Sequence, residues 1–174
     1  MNNSKDKMDK FEIFEESIIQ QSEDFGQMLL ERGWRFATAE SCTGGWIAKA
    51  LTSVAGSSGW FEAGLVTYSN EAKINFLSVS PMTIEKHGAV SSETAKEMVE
   101  GLLRATGVDI GVSVTGIAGP TGGTASKPVG TVWFGFSALG QETVTICLQI
   151  DGSRDVVRAK AVNFGLATLI KMLS

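Results

Sequence analysis

The sequence predicts an α/β domain: a three-layer α/β/α sandwich around a mixed, mostly parallel sheet with one antiparallel hairpin. Segments with helical apolar spacing alternate with short runs rich in aliphatic and β-branched residues. One such run, Val108 to Val114, has the aliphatic content of a strand covered on both faces. Two later strand-like runs, Gly130 to Ala138 and Glu142 to Ile150, are separated only by Leu139-Gly140-Gln141, which suits a hairpin.

Met1 to about Asp9 reads as a frayed start. Phe11, Phe14, Ile18, Phe25 and Leu29 then recur at helical spacing up to Gly33, which predicts one or two helices. A short strand at Arg35 to Thr38 leads into a small-residue turn around Ser41 and a helix from about Thr43 to Ser53. Gly56-Ser57-Ser58-Gly59 reads as a loop and Trp60 to Tyr68 as a strand. Ser69 or Asn70 caps a helix through Leu77, and Pro81 opens another that stops at His87-Gly88. Ser91 or Ser92 caps the clearest helix, whose Ala95, Met98, Val99, Leu102 and Leu103 form one apolar face before Gly107. Thr115 to Lys127 is a glycine-rich loop, and Ser153 caps a last helix with Val157, Ala161, Phe164 and Ala167 on one face. Nothing repeats and no linker divides the chain. Residues 17–174 are expected to form one domain, with residues 1–16 a partly flexible extension.

Composition excludes several function classes. A chain of 174 residues with 43% hydrophobic content can bury a single core. Its formal charge is −4, with no basic tract and no interleaving of basic and aromatic residues, so no nucleic-acid partner is expected. No apolar run approaches the ~20 residues of a membrane span, so no membrane association is expected. The N-terminus lacks the apolar stretch of a secretory leader. Cys42 and Cys147 lie far apart without metal-ligand spacing, as reduced thiols of a cytoplasmic protein would. The sole histidine, His87, would have to serve any Ser-His-Asp triad, and a His-rich metal site is impossible. His87 reads instead as the last residue of a helix, with Gly88 in the left-handed closing position. No metal and no cofactor are expected.

Four segments carry candidate chemistry. In Thr38-Ala39-Glu40-Ser41-Cys42-Thr43-Gly44-Gly45, small residues expose Ser41 between strand and helix, and N–H groups around Thr43, Gly44 and Gly45 suit an oxyanion. In Thr67-Tyr68-Ser69-Asn70-Glu71-Ala72-Lys73, a desolvated Lys73 can replace histidine as a base, with Tyr68 relaying a proton or orienting the amine. The loop from Thr115 through Gly116, Gly119 and Gly122 to Gly123 lets backbone N–H groups approach an anion, although its spacing is neither Walker A nor Rossmann. Arg154 sits in the first turn of a helix, where acids are usual, and a cation there suits an anion pocket. Each segment also fits a plainer role when taken singly: a helix cap, a solvated lysine, a flexible loop, an exposed arginine.

Together the segments form an ordered set. Ala39 to Gly45, Val66 to Lys73, His87-Gly88-Ala89-Val90-Ser91, Val114 to Pro120, Lys127-Pro128-Val129-Gly130-Thr131-Val132 and Gly152-Ser153-Arg154-Asp155 occur in this order. From about residue 17 onward the chain closely resembles the CinA C-terminal-domain family. That resemblance implies a Ser/Lys amidohydrolase that converts nicotinamide mononucleotide (NMN) to nicotinate mononucleotide and ammonia. It also implies Ser41 as nucleophile, Lys73 as general base, Tyr68 as their assistant and Arg154 as the group gripping phosphate. Longer family members add a domain resembling molybdopterin-binding proteins and linked to pyrophosphatase activity, which is not expected here. A non-catalytic nucleotide-binding or competence-associated adaptor, or an amidase for another substrate, is the alternative. Cys42 is the rival nucleophile, expected to face the core. The apolar N-terminal helix suggests a homo-oligomer.

Overall fold

A five-stranded mixed sheet forms the middle layer of the computed structural model, which describes residues 3–174. In chain order the elements are α1 (Asn3–Arg32), β1 (Phe36–Glu40), α2 (Trp46–Thr52), β2 (Phe61–Val66), α3 (Asn70–Leu77), α4 (Pro81–His87), α5 (Ser92–Thr106), β3 (Ile110–Gly116), β4 (Thr131–Ala138), β5 (Val144–Gln149) and α6 (Arg154–Leu173). The strands lie in the order β2-β1-β3-β4-β5. β1 is parallel to β2 and to β3, β4 is antiparallel to β3, and β5 is antiparallel to β4. Only β4 therefore runs against the rest, and the expected sandwich with its single hairpin is what the chain forms.

Strand alternation decides what each face holds. Phe36 and, on β3 and β4, Ile110, Val112, Val114, Val132, Phe134 and Phe136 pack in one core with residues of α1, α2 and α6, among them Phe25, Ile47 and Leu166. Ala37 and Ala39 point the other way, into a smaller core with Leu77, Met98 and Leu102. This second face is built from small residues because α5 lies close on it. A Cβ at Gly135 would stand 2.5 Å from the Ala95 carbonyl oxygen, and the Ser113 hydroxyl donates to that oxygen at 2.6 Å.

Several elements differ from expectation at their ends. α1 is one continuous helix from Asn3, where the sequence suggests a frayed start; Met1, Asn2 and the Phe11 side chain lie outside the described residues. β1 runs on to Glu40, and the Ser41 N–H still donates to the Val114 carbonyl at 2.9 Å. α2 starts only at Trp46, because Gly44 and Gly45 take positive φ (63° and 89°) and keep Cys42–Gly45 in turns. β3 continues through Thr115 and Gly116, which the sequence assigns to the loop. Gly88 closes α4 at φ 79° and ψ 165°, a positive φ without the left-handed helical ψ. Ser153 stands at the start of α6, but its side chain makes no capping bond.

The topology also fixes where a ligand can sit. From β1 the chain passes through α2 to β2 on one side, then through α3, α4 and α5 to β3 on the other. Connections that diverge around β1 open a crevice at the carboxyl ends of β1 and β3, the usual site in open α/β sheets. Ser41 follows β1 and Gly116 ends β3, so both stand at this crevice.

Gly101 on α5 meets the C-terminal end of α3, the helix that carries Lys73, with no room for a side chain. A Cβ there would lie 1.8 Å from the Leu77 carbonyl oxygen. Gly101→Ala gains ~1 kcal/mol of helix propensity but forces backbone apart, so a net loss of about 2 kcal/mol is expected in urea unfolding.

Candidate active site

Ser41 occupies the turn between β1 and α2 and is 8% exposed. Hydrogen bonds hold this turn from both ends: its own N–H to Val114, and the Gly44 N–H back to the Ser41 carbonyl at 3.0 Å. The Gly45 N–H donates to a Glu40 carboxylate oxygen at 3.1 Å. The Gly44 and Gly45 donors, which the sequence offers for an oxyanion, are therefore already engaged. The N–H groups of Cys42 and Thr43 bond to no other residue among those described.

Lys73 enters from α3, whose N-cap Ser69 accepts the Ala72 N–H at 3.0 Å. Its side chain is 1% exposed, and Nζ contacts three oxygens: Ser41 Oγ at 3.1 Å, the Thr67 carbonyl at 2.9 Å and the Tyr68 carbonyl at 3.3 Å. Among the described residues no carboxylate pairs with it. Burial without a counter-ion disfavours the ammonium and lowers the Lys73 pKa from 10.5, with Cys42 acting more weakly in the opposite sense. A neutral amine has two N–H bonds and one lone pair. With the N–H bonds on the two carbonyls, the lone pair faces the Ser41 hydroxyl as a proton acceptor.

Cys42 is buried beside this pair. Chiefly through burial, with the Glu40 carboxylate adding to it, its thiol is pushed up to about 12. The thiolate needed for attack is thus scarce at neutral pH. Ser41 has a base in contact, whereas Cys42, which also lines the cleft, packs mainly into the core.

The cleft above Ser41 and Lys73 is lined also by Tyr68, Asn70, Ala89, Val90, Thr115, Gly116, Ala118 and Arg154. Tyr68 is 61% exposed, and its hydroxyl accepts from Arg154 at 3.2 Å. The contact of Tyr68 with the lysine is made by its backbone carbonyl, not its phenol. Arg154 opens α6 and also donates to the Gly119 carbonyl at 3.1 Å, so the glycine loop and the cation are tied together. Thr115 is buried with its hydroxyl on the Ala89 carbonyl at 2.7 Å, which holds the Ala89-Val90 wall to β3.

Ser41, Lys73, Tyr68, Thr115, Gly116 and Arg154 therefore converge on one cleft. Gly119 reaches it through its bond to Arg154, and Gly122 does not line it. Thr43 is buried beneath the turn, and its carbonyl accepts from Arg158 at 2.9 Å. Gly44 and Gly45 line a separate cleft with Trp46, Lys49 and Arg158. His87 stands outside the cleft, 3.3 Å from the Glu93 carboxylate. Among the described residues no group of His, Cys, Asp or Glu has the makings of a metal site. The sequence reading missed Asn70, Ala89 and Val90 as lining residues and gave Glu40 no role, although Glu40 is a charge inside a buried strand.

The chain is similar to known proteins over most of its length. Residues 19–173 match the model of the CinA C-terminal domain. The chain is 50% identical over 157 residues to nicotinamide-nucleotide amidohydrolase PncC of Enterobacter agglomerans, a match covering 90% of this chain and 96% of that protein. It is 51% identical over 152 residues to the protein of the same name from Escherichia coli K12, covering 87% and 92%. The crystal structure of competence damage-inducible protein A (ComA) from Klebsiella pneumoniae superposes with a TM-score of 0.87 at 42% identity, covering 90% of this chain and 96% of that one.

The lysine's depressed pKa has a consequence for stability. Unfolded, Lys73 binds its proton with ordinary affinity; folded, it binds more weakly. Wild-type stability relative to Lys73→Met should therefore rise with pH between the depressed folded value and 10.5, and level off above it. Urea unfolding of both proteins from about pH 6 to about pH 10 checks this across the ordinary lysine range. A difference independent of pH would show that Lys73 titrates normally.

Proposed function

The chain belongs to the CinA C-terminal domain family, and we propose that it hydrolyses the carboxamide of NMN, giving nicotinate mononucleotide and ammonia. The observation that carries this reading is the 3.1 Å contact between Lys73 Nζ and Ser41 Oγ, in a cleft that also holds Arg154. The name of the half-identical amidohydrolases supports the choice of substrate.

In the proposed reaction, neutral Lys73 takes the Ser41 proton as Oγ attacks the carboxamide carbon. The carbonyl π electrons move to oxygen, and the Cys42 and Thr43 N–H groups are the donors the turn leaves available to hold it. This choice agrees with α/β-hydrolases, in which the N–H following the nucleophile serves the oxyanion. The Lys73 ammonium then gives its proton to the departing nitrogen, and the C–N bond breaks as ammonia leaves. Water, deprotonated by the same amine, attacks the acyl-Ser41 ester; the C–Oγ bond breaks, the Lys73 ammonium returns its proton to Oγ, and the product leaves as the acid, which ionises to the carboxylate. The Thr67 and Tyr68 carbonyls hold the amine in place through both steps. Arg154 supplies the charge for the substrate phosphate, and Tyr68, bonded to it, orients the guanidinium.

Residues 17–174 would act as one catalytic domain, with residues 1–16 an extension, a division in keeping with the family match at 19–173. A cytoplasmic setting is supported by the free thiols of Cys42 and Cys147, and no helix among the described residues is long and apolar enough to cross a membrane. Self-association through α1 is supported by Ile19 and Leu30, each more than half exposed there.

Ammonia release from NMN tests the reading. Wild type should turn over NMN, and use free nicotinamide far less well because it offers Arg154 no phosphate. Ser41→Ala and Lys73→Arg should each lose at least ~1000-fold in kcat, since arginine stays protonated and cannot act as base. Cys42→Ala should keep most activity. Loss of turnover in Cys42→Ala with activity retained in Ser41→Ala would reverse the assignment.

A further inference from the structure

Glu40 is fully buried at the end of β1, and its carboxylate accepts four hydrogen bonds. One oxygen takes the Gly45 and Ile47 N–H groups, each at 3.1 Å. The other takes the Ala48 N–H at 2.8 Å and the Thr38 hydroxyl at 3.2 Å. We infer that Glu40 is a positioning residue for Ser41: its carboxylate ties the end of β1 to the first turn of α2 and so fixes the turn that presents the nucleophile. The inference rests on Ser41 being the nucleophile, as proposed above.

A buried carboxylate is costly unless its lone pairs are satisfied. Among the described residues no cation pairs with Glu40. Its counter-charge is the start of α2, where N–H groups are unpaired and the helix dipole is positive. The N-cap of α2 is Gly45, which has no side chain to cap with. Glu40 does this work from five residues upstream, with Ser41 inside the loop it closes.

Both anchors of the loop are rigid. The Glu40 carbonyl accepts the Thr67 N–H at 2.9 Å, and the Ser41 N–H donates to Val114 at the same distance, so the end of β1 is held by both neighbouring strands. On the far side, Gly64 lets α2 approach the sheet, since a Cβ there would lie 2.7 Å from the Ala48 Cβ. The Thr67 bond matters further, because the Thr67 carbonyl holds Lys73 Nζ. One short stretch of backbone thus sets both partners of the Ser41–Lys73 contact, and the Glu40 side chain determines how the serine lies upon it. The same bonds withdraw the Gly45 N–H from any substrate and leave those of Cys42 and Thr43.

Glu40→Gln tests this, because whichever way the amide turns, its NH2 group faces a backbone N–H that needs an acceptor, either that of Ala48 or those of Gly45 and Ile47. Three readouts are taken: folding by circular dichroism, kcat and KM for NMN, and the rate at which a fluorophosphonate labels Ser41. In the labelling step the Ser41 Oγ–phosphorus bond forms, fluoride leaves and Lys73 takes the proton. A displacement near 1 Å can cost ~100-fold, so kcat and labelling rate should both fall by about that factor, with KM within about threefold. The pH at which kcat/KM rises should stay unchanged, because Lys73 keeps its own contacts. A folded variant with kcat and labelling within about threefold of wild type overturns the inference. Should Glu40→Gln fail to fold, Thr38→Val, which removes a single donor, decides: about a tenfold slower labelling supports the inference and an unchanged rate overturns it. Wild type that is labelled at Ser41 but releases no ammonia from NMN would overturn the substrate reading, while the labelling rates still judge Glu40. Wild type unlabelled at Ser41 would overturn both.

Discussion

The burial of one amine against one hydroxyl organises this molecule. Lys73 is 1% exposed, and among the described residues its Nζ hydrogen-bonds to oxygens that carry no full charge, namely Ser41 Oγ and two backbone carbonyls. An ammonium in that setting loses its hydration without gaining an anion, whereas a neutral amine fits it with both N–H bonds and the lone pair used. The fold tolerates this cost because its apolar core is large, and the cost makes the lysine a base. The sheet order supplies the location, since chain departing on opposite sides of β1 leaves its carboxyl end open.

Around that pair the structure divides its charges. Glu40 is as deeply buried as Lys73, but it faces α2 and accepts from N–H groups there, so among the described residues it makes no ion pair with the lysine. A direct ion pair would hold Lys73 protonated and remove its basicity. The cation that remains exposed, Arg154, stands at the mouth with Tyr68 and the Gly119 carbonyl, where an anionic substrate can reach it. The cleft thus has a neutral interior for the amide chemistry and a positive rim for a phosphate.

Much of the fold is legible because its signals are local. The Ser91 cap of α5, the aliphatic run of β3 and the short connection between β4 and β5 each depend on neighbours in sequence. What the sequence hides depends on hydrogen bonds that cross it. Gly44 and Gly45 look like oxyanion donors until the Ser41 carbonyl and the Glu40 carboxylate are seen to take their N–H groups. Tyr68 attracts attention for its phenol, yet its carbonyl is what meets the lysine, and any residue type offers a carbonyl. Glu40 escapes notice because a glutamate beside a serine usually faces solvent, and its partners lie five to eight residues further along. Ser41 and Lys73 are visible as candidates from their segments, but their 3.1 Å contact spans 32 residues of chain and follows only from the tertiary packing that seats α3 against α5.

The protonation state of Lys73 is the central claim, and it can be observed directly. Nitrogen NMR of the Lys73 Nζ, assigned by comparison with Lys73→Met, follows the amine through its titration in the folded enzyme. The account predicts a midpoint below the ordinary 10.5, coinciding with the pH at which kcat/KM for NMN rises. A midpoint at or above 10.5, or a rate profile that rises elsewhere, would contradict it.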